Sequence, residues 1–127
     1  MNQKILNRTI KLAHAICPTN RSMRTSHVAF LIKSGKINKI GWNKNRTSPK
    51  NLEFSYHPGR VGIHAELDCC LKTGKDDLSG YEMVVLRVNR EGQISNSKPC
   101  SGCQNVLAQF GIDKIYYSNQ FGEIVKI

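Results

Sequence analysis

Acidic side chains are almost missing from the first half of this chain. Residues 1–60 hold one, Glu53, against twelve Lys and Arg, a net of +11. Residues 61–127 hold eight acids and seven bases, a net of −1, so the formal charge of +10 belongs to the N-terminal half. A long apolar run is also missing. The longest uncharged apolar stretch, Val28 to Ile32, is far short of the roughly 20 residues of a membrane helix, which predicts no membrane span. Met1-Asn2-Gln3-Lys4 leads into an amphipathic pattern rather than an apolar signal block, which predicts no export and a cytoplasmic protein. No internal repeat, low-complexity tract or Pro/Ser-rich linker divides the chain, so residues 1–127 read as a single domain. Five cysteines, an odd number in a chain without an export signal, argue against a disulfide scaffold and for reduced thiols or a metal site. At 39% apolar and 22% charged, the composition is that of a globular domain rather than a disordered basic tail. Charge alone leaves two readings, an anionic partner and simple solubility.

What is present has the periodicities of an α/β domain. Ile5, Leu6, Ile10, Leu12, Ala13 and Ile16 recur at mostly helical spacing, with Lys4, Arg8 and Lys11 on the other face. Cys17-Pro18 ends that helix, because the residue before a proline is pushed out of the helical region. His27 to Ile32 and Ile37 to Trp42 form strands joined by a short turn at Ser34-Gly35-Lys36. Residues 43–62 carry two prolines and two glycines and read as a long loop. A helix follows over 63–72, a dense apolar strand over 81–88, a helix over 100–110, a strand over 112–117 and a last strand over 124–127. The order α-β-β-α-β-α-β-β implies layers of helix and sheet. Only Ser118 to Gly122 separates the last two strands. Five residues cannot hold a parallel crossover, so these strands must form an antiparallel pair.

Two fragments carry chemistry. His64-Ala65-Glu66 opens one helix, and Pro99-Cys100-Ser101-Gly102-Cys103 opens the next. One imidazole and two thiolates suit zinc, and a Cys-x-x-Cys turn brings two sulfurs to one ion from a helix's first turn. Both fragments lie at the positive pole of a helix, which favours thiolates and a nearby carboxylate. Three ligands leave a fourth position for water, as in catalytic zinc sites; a structural site would close it, with Cys69 or Cys70 as the candidates. Glu66, two residues beyond the His, is placed to shuttle a proton rather than to ligate.

His-Ala-Glu followed 35 residues after the His by Pro-Cys-x-x-Cys resembles the zinc-dependent nucleobase deaminases, which include cytidine, deoxycytidylate, tRNA adenosine and polynucleotide cytidine deaminases. The resemblance covers most of the chain, from about residue 1 to 127. It implies a cytidine deaminase-like fold, a three-layer α/β/α sandwich around a five-stranded mixed sheet, here with an antiparallel C-terminal strand pair. It implies Zn2+ held by His64, Cys100 and Cys103, with Glu66 as proton shuttle in a hydrolysis that releases ammonia. Gly41-Trp42-Asn43 is similar to the family's Gly-aromatic-Asn, which makes Asn43 the first substrate-binding candidate. Trp42 and Ala65 join it, and Trp42 is either core or a lid over the base. Pro99 sets the turn before the thiolates, and a backbone carbonyl near Ser97 and Lys98 would accept the exocyclic amine. Relatives are often oligomeric, which implies a homo-oligomer.

The implied substrate is a cytosine nucleoside or nucleotide. The antiparallel end resembles free cytidine deaminases, whereas His as first ligand resembles the deoxycytidylate and tRNA adenosine enzymes. Arg24, Arg46 and Arg60 flank the expected pocket mouth, and a guanidinium fork suits phosphate. Two alternatives stay open. One is a deaminase acting on cytosine in single-stranded DNA or RNA, with the basic half tracking the backbone. The other is a zinc-stabilised nucleic-acid-binding module without activity.

Overall fold

The computed structural model describes residues 2–16, 26–42, 64–89 and 91–127. Among these, helix α1 (Gln3–Ile16) leads into strands β1 (Ser26–Lys33) and β2 (Lys36–Trp42). Helix α2 (Ala65–Leu71), strands β3 (Glu82–Val88) and β4 (Ile94–Ser95), helix α3 (Ser101–Gln109), and strands β5 (Lys114–Ser118) and β6 (Ile124–Lys126) follow. The predicted elements are therefore all present, and β4 is an addition. The expected loop over 43–62, with Asn43, Arg46 and Arg60, lies outside the described residues, as does Arg24.

The strands form one mixed sheet in the order β2-β1-β3-β5-β6. β1 and β2 are a hairpin whose turn places Ser34 at φ 54° and Gly35 at φ 73°. Two successive left-handed residues match the twist of the flanking strands. β3 is antiparallel to β1 and parallel to β5, and the connection to β5 is long enough to include β4 and α3. β5 and β6 are antiparallel, as the short connection requires. β4 pairs with the end of β3 that β5 leaves open, matching Arg87 with Ser95 and Val88 with Ile94.

Side chains alternate across the central strands and divide the core in two. Val28, Phe30, Ile32, Val84, Leu86 and Val88 pack against the apolar stripe of α1, where Ala13 is buried and Ile5, Leu6, Ile10, Leu12 and Ile16 contribute. Ala29, Leu31, Met83, Val85 and Ile115 pack against α2 and α3 through Leu67, Cys70, Val106 and Leu107. Both faces of β1 and β3 are covered, which is why these strands read as near-continuous apolar runs. The result is the expected three-layer α/β/α sandwich.

Gly41 fixes how closely α2 approaches β2. A Cβ at this position would lie 2.5 Å from the Cys69 nitrogen and 2.7 Å from the Ala65 carbonyl oxygen. Glycine is required there by close backbone approach, and that approach sets where α2 presents its N-terminus.

Candidate metal centre

His64 and Cys100 are the N-caps of α2 and α3, and both have extended backbone, at φ −71°, ψ 151° and φ −67°, ψ 167°. Each therefore projects its side chain at the open, positive end of a helix. Cys103 stands three residues beyond Cys100, and its N–H donates to the Cys100 sulfur at 3.4 Å. The Cys-x-x-Cys spacing thus doubles as a cap, with the first sulfur satisfying a free N–H while facing the second. His64 Nδ1 lies 3.1 Å from Cys103 Sγ.

The donor atoms of His64, Cys100 and Cys103 all lie within 4.8 Å of one another. Zn–S and Zn–N bonds of about 2.3 and 2.0–2.1 Å in a tetrahedron set donors roughly 3.5–3.8 Å apart. The trio fits zinc in chemistry and in spacing, and among the described residues no fourth side chain joins it. Cys69 turns its sulfur away, toward the Lys39 carbonyl at 3.5 Å, and Cys70 is packed in the core. Burial pushes the Cys69 thiol up to about 12 and raises that of Cys70 as well. Such thiols are inert, which weighs against a closed structural site.

Glu66 is at the second position of α2 and only 5% exposed. Burial raises its carboxyl above the ordinary carboxylate range, while hydrogen bonds from its own backbone N–H and from Cys103 oppose the rise. A carboxyl poised upward and in contact with a ligand of the trio can hold a proton and give it back.

The segment before Cys100 is anchored from behind. Ser97, buried, has the Val85 carbonyl and Ser118 Oγ each 2.7 Å from its Oγ, which donates its single proton to one or the other. Its backbone N–H reaches the Ser118 carbonyl at 2.8 Å, and Ser118 Oγ donates to the Ser95 carbonyl at 2.6 Å. The Pro99 carbonyl accepts from Gln104 Nε2 at 2.9 Å. β3, β5 and the first turn of α3 thus fix Ser97 and Pro99, while the Lys98 side chain is exposed.

Other sequence-predicted residues fall as follows. Ala65 is buried under the first turn of α2. Trp42 is 37% exposed, with Lys72 Nζ 3.7 Å from its ring centroid, so it is not core. Its backbone N–H donates to Asp68 Oδ2 at 3.1 Å. Two further residues not among those predicted are paired across the sheet, His27 on β1 and Arg87 on β3. Burial, with Arg87 and then His64 adding to it, lowers His27 to about 4. A charged residue inside the apolar run Met83–Val88 is the sequence signal that points to Arg87.

A model of the cytidine and deoxycytidylate deaminase zinc-binding region matches residues 2–119. A deoxycytidylate deaminase of Mycobacterium phage D29 is 24% identical over 125 residues, covering 86% of this chain and 90% of its own. Among solved structures, the dCMP deaminase of cyanophage S-TIM5 in complex with dCMP and dUMP is similar, at 24% identity and a TM-score of 0.59, over 94% of this chain and 85% of that one. The cytidine deaminase of Burkholderia pseudomallei is 18% identical with a TM-score of 0.62, over 100% of this chain and 92% of that one.

Proposed function

We propose that this chain, which belongs to the cytidine and deoxycytidylate deaminase zinc-binding family, deaminates a cytosine nucleoside or nucleotide to the uracil form by hydrolysis. The observation that carries this reading is the trio of His64, Cys100 and Cys103 with a buried carboxyl, Glu66, hydrogen-bonded to one of its members. The likeness to a phage deoxycytidylate deaminase supports a cytosine substrate.

His64, Cys100 and Cys103 would hold the ion. When bound, zinc supplies the Lewis-acid chemistry that makes water a competent nucleophile near neutral pH. Glu66 takes the proton from the attacking water and delivers it to the ring nitrogen beside C4, which makes C4 more electrophilic. With the water oxygen bonded to C4, Glu66 then carries the remaining proton of that new hydroxyl to the exocyclic amine, and the C4–N bond breaks as the C4 carbonyl forms and ammonia leaves. Its raised proton affinity serves both transfers, because a proton held too weakly would not reach the base. The hydrogen bonds at Ser97 and Pro99 hold the backbone beside the trio, where a carbonyl of the 97–98 segment would orient the amine. Ala65 walls the pocket at the first turn of α2.

The test is turnover of cytidine, deoxycytidine, CMP, dCMP, cytosine oligonucleotides and the adenine counterparts, read by base absorbance and by mass. Deamination of the small cytosine compounds is expected. Deamination of oligonucleotides alone would overturn the reading in favour of a polynucleotide substrate, and no deamination by zinc-loaded protein would overturn it altogether.

A further inference from the structure

We propose that Arg87, with Ser95 and His27 beside it, takes the phosphate of the substrate, so that the enzyme prefers a cytosine nucleotide to the nucleoside. This rests on the deaminase reading above and adds the substrate class to it.

The three residues form one row across the sheet. Arg87 on β3 is in register with His27 on β1 and with Ser95 on β4. All three fall on the α2 and α3 side, because Ala29, Met83 and Val85 pack there while Val88 and Ile94 pack on the α1 side. The row lies at the C-terminal end of β3, the end of a parallel pair where α/β sheets receive ligands. It is tied to the metal centre through the chain: Ser95 stands two residues before Ser97, which is fixed to Val85 and Ser118 in the segment that leads into Cys100.

Arg87 and Ser95 each keep a buried polar atom, Nε and Oγ, with no hydrogen-bond partner among the described residues. No described carboxylate pairs with Arg87. Arg87 as a whole is half-buried and a guanidinium keeps its charge, so the partly exposed edge of the fork is where an anion would bind. The cytosine nucleosides are uncharged near neutral pH, and the phosphate is the only anionic group in the proposed substrates. A phosphate also matches the planar fork of Arg and accepts from a serine hydroxyl.

The test compares wild type with Arg87→Gln and Ser95→Ala on dCMP and deoxycytidine, with zinc content and melting temperature measured for each. A charge-assisted hydrogen bond of about 1.5–3 kcal/mol corresponds to roughly 10- to 150-fold. Arg87→Gln should lower the ratio of dCMP to deoxycytidine kcat/KM by that factor, chiefly through KM, and Ser95→Ala should lower it less. Without turnover, dCMP should raise the melting temperature of wild type more than deoxycytidine does, and Arg87→Gln should erase that difference. If Arg87→Gln does not fold, Arg87→Lys, which keeps the charge without the fork, should lower the ratio partially. An unchanged ratio in a folded variant overturns the proposal, and so does an equal loss on both substrates. Wild type inactive on every cytosine compound would instead sink the deaminase reading, which separates the two failures.

Discussion

The backbone N–H of Trp42, the last residue of β2, donates to Oδ2 of Asp68 in the middle of α2 at 3.1 Å. The same oxygen receives Lys72 Nζ at 3.2 Å, and that ammonium also reaches the Ile40 carbonyl at 3.0 Å. One buried carboxylate thus pins the end of a strand to the helix that begins at His64 and carries Glu66. Asp68→Ala leaves a donor without its acceptor and should cost about 1–3 kcal/mol, seen as a melting temperature several degrees lower. Asp68→Asn keeps an acceptor and should cost less. Equal melting of wild type and Asp68→Ala would show that the link carries no weight.

Glu66→Gln tests the proton shuttle. The amide is nearly isosteric and cannot move a proton, so kcat should fall by roughly 10²–10⁴-fold. Zinc content should stay at that of wild type, since Glu66 is not among the grouped donors. A variant that retains zinc and turns over at the wild-type rate would remove Glu66 from the mechanism.

Cys100→Ser and Cys103→Ser should lose zinc, measured by atomic absorption on freshly purified protein, and with it activity and some thermal stability. Cys69 and Cys70 should behave differently. Their thiols are pushed up by burial, Cys69 to about 12, so neither should be alkylated at pH 8 in the folded protein, as read by peptide mass mapping. Labelling of Cys69 under native conditions would contradict its placement.

Gly41→Ala would put a methyl group 2.5 Å from the Cys69 nitrogen and must push α2 away from β2. A loss of about 1–3 kcal/mol is expected, as in other overpacked sites. Because α2 carries both His64 and Glu66, zinc affinity should fall as well. Full zinc affinity in this variant would show that the approach of strand and helix does not govern the centre.

His27 predicts an acid-sensitive stability. Its folded value is lowered from 6.5 to about 4, so folded His27 stays neutral where the unfolded chain takes up a proton. Its contribution is complete above pH 6.5 and is lost as pH falls from 6.5 through about 4, by an amount on the order of 3 kcal/mol. Zinc release in acid acts in the same direction, so the measurement is the difference between wild type and His27→Gln across that window. Parallel stability curves would mean that folding does not shift His27 and would overturn the prediction.

The metal centre was legible in the sequence because its residues are local. His64 and Glu66 share one helix turn, and so do Cys100 and Cys103, so spacing alone brings each pair together. The element order and the antiparallel end were legible for a similar reason, since they follow from apolar period and connection length. β4 was not, because the two residues Ile94 and Ser95 have no period to display. The row of His27, Arg87 and Ser95 was not either. His27 joins it only through register with a strand 60 residues away in the chain, and Ser95 only through β4, neither of which a local pattern encodes. Trp42 was ambiguous between core and surface until Lys72 and Asp68, one helix away, decided it.

The hydrogen bonds between Ser97 and Ser118 have a consequence for how the protein is made. All three proposed zinc donors leave the ribosome before Ser118, the residue that fixes the loop leading into Cys100. A nascent chain can therefore present the complete donor set while its geometry is still unset. Metal captured at that stage would be held by donors whose spacing is not yet fixed, open to exchange, and selection for zinc would sharpen only when β5 docks against β3.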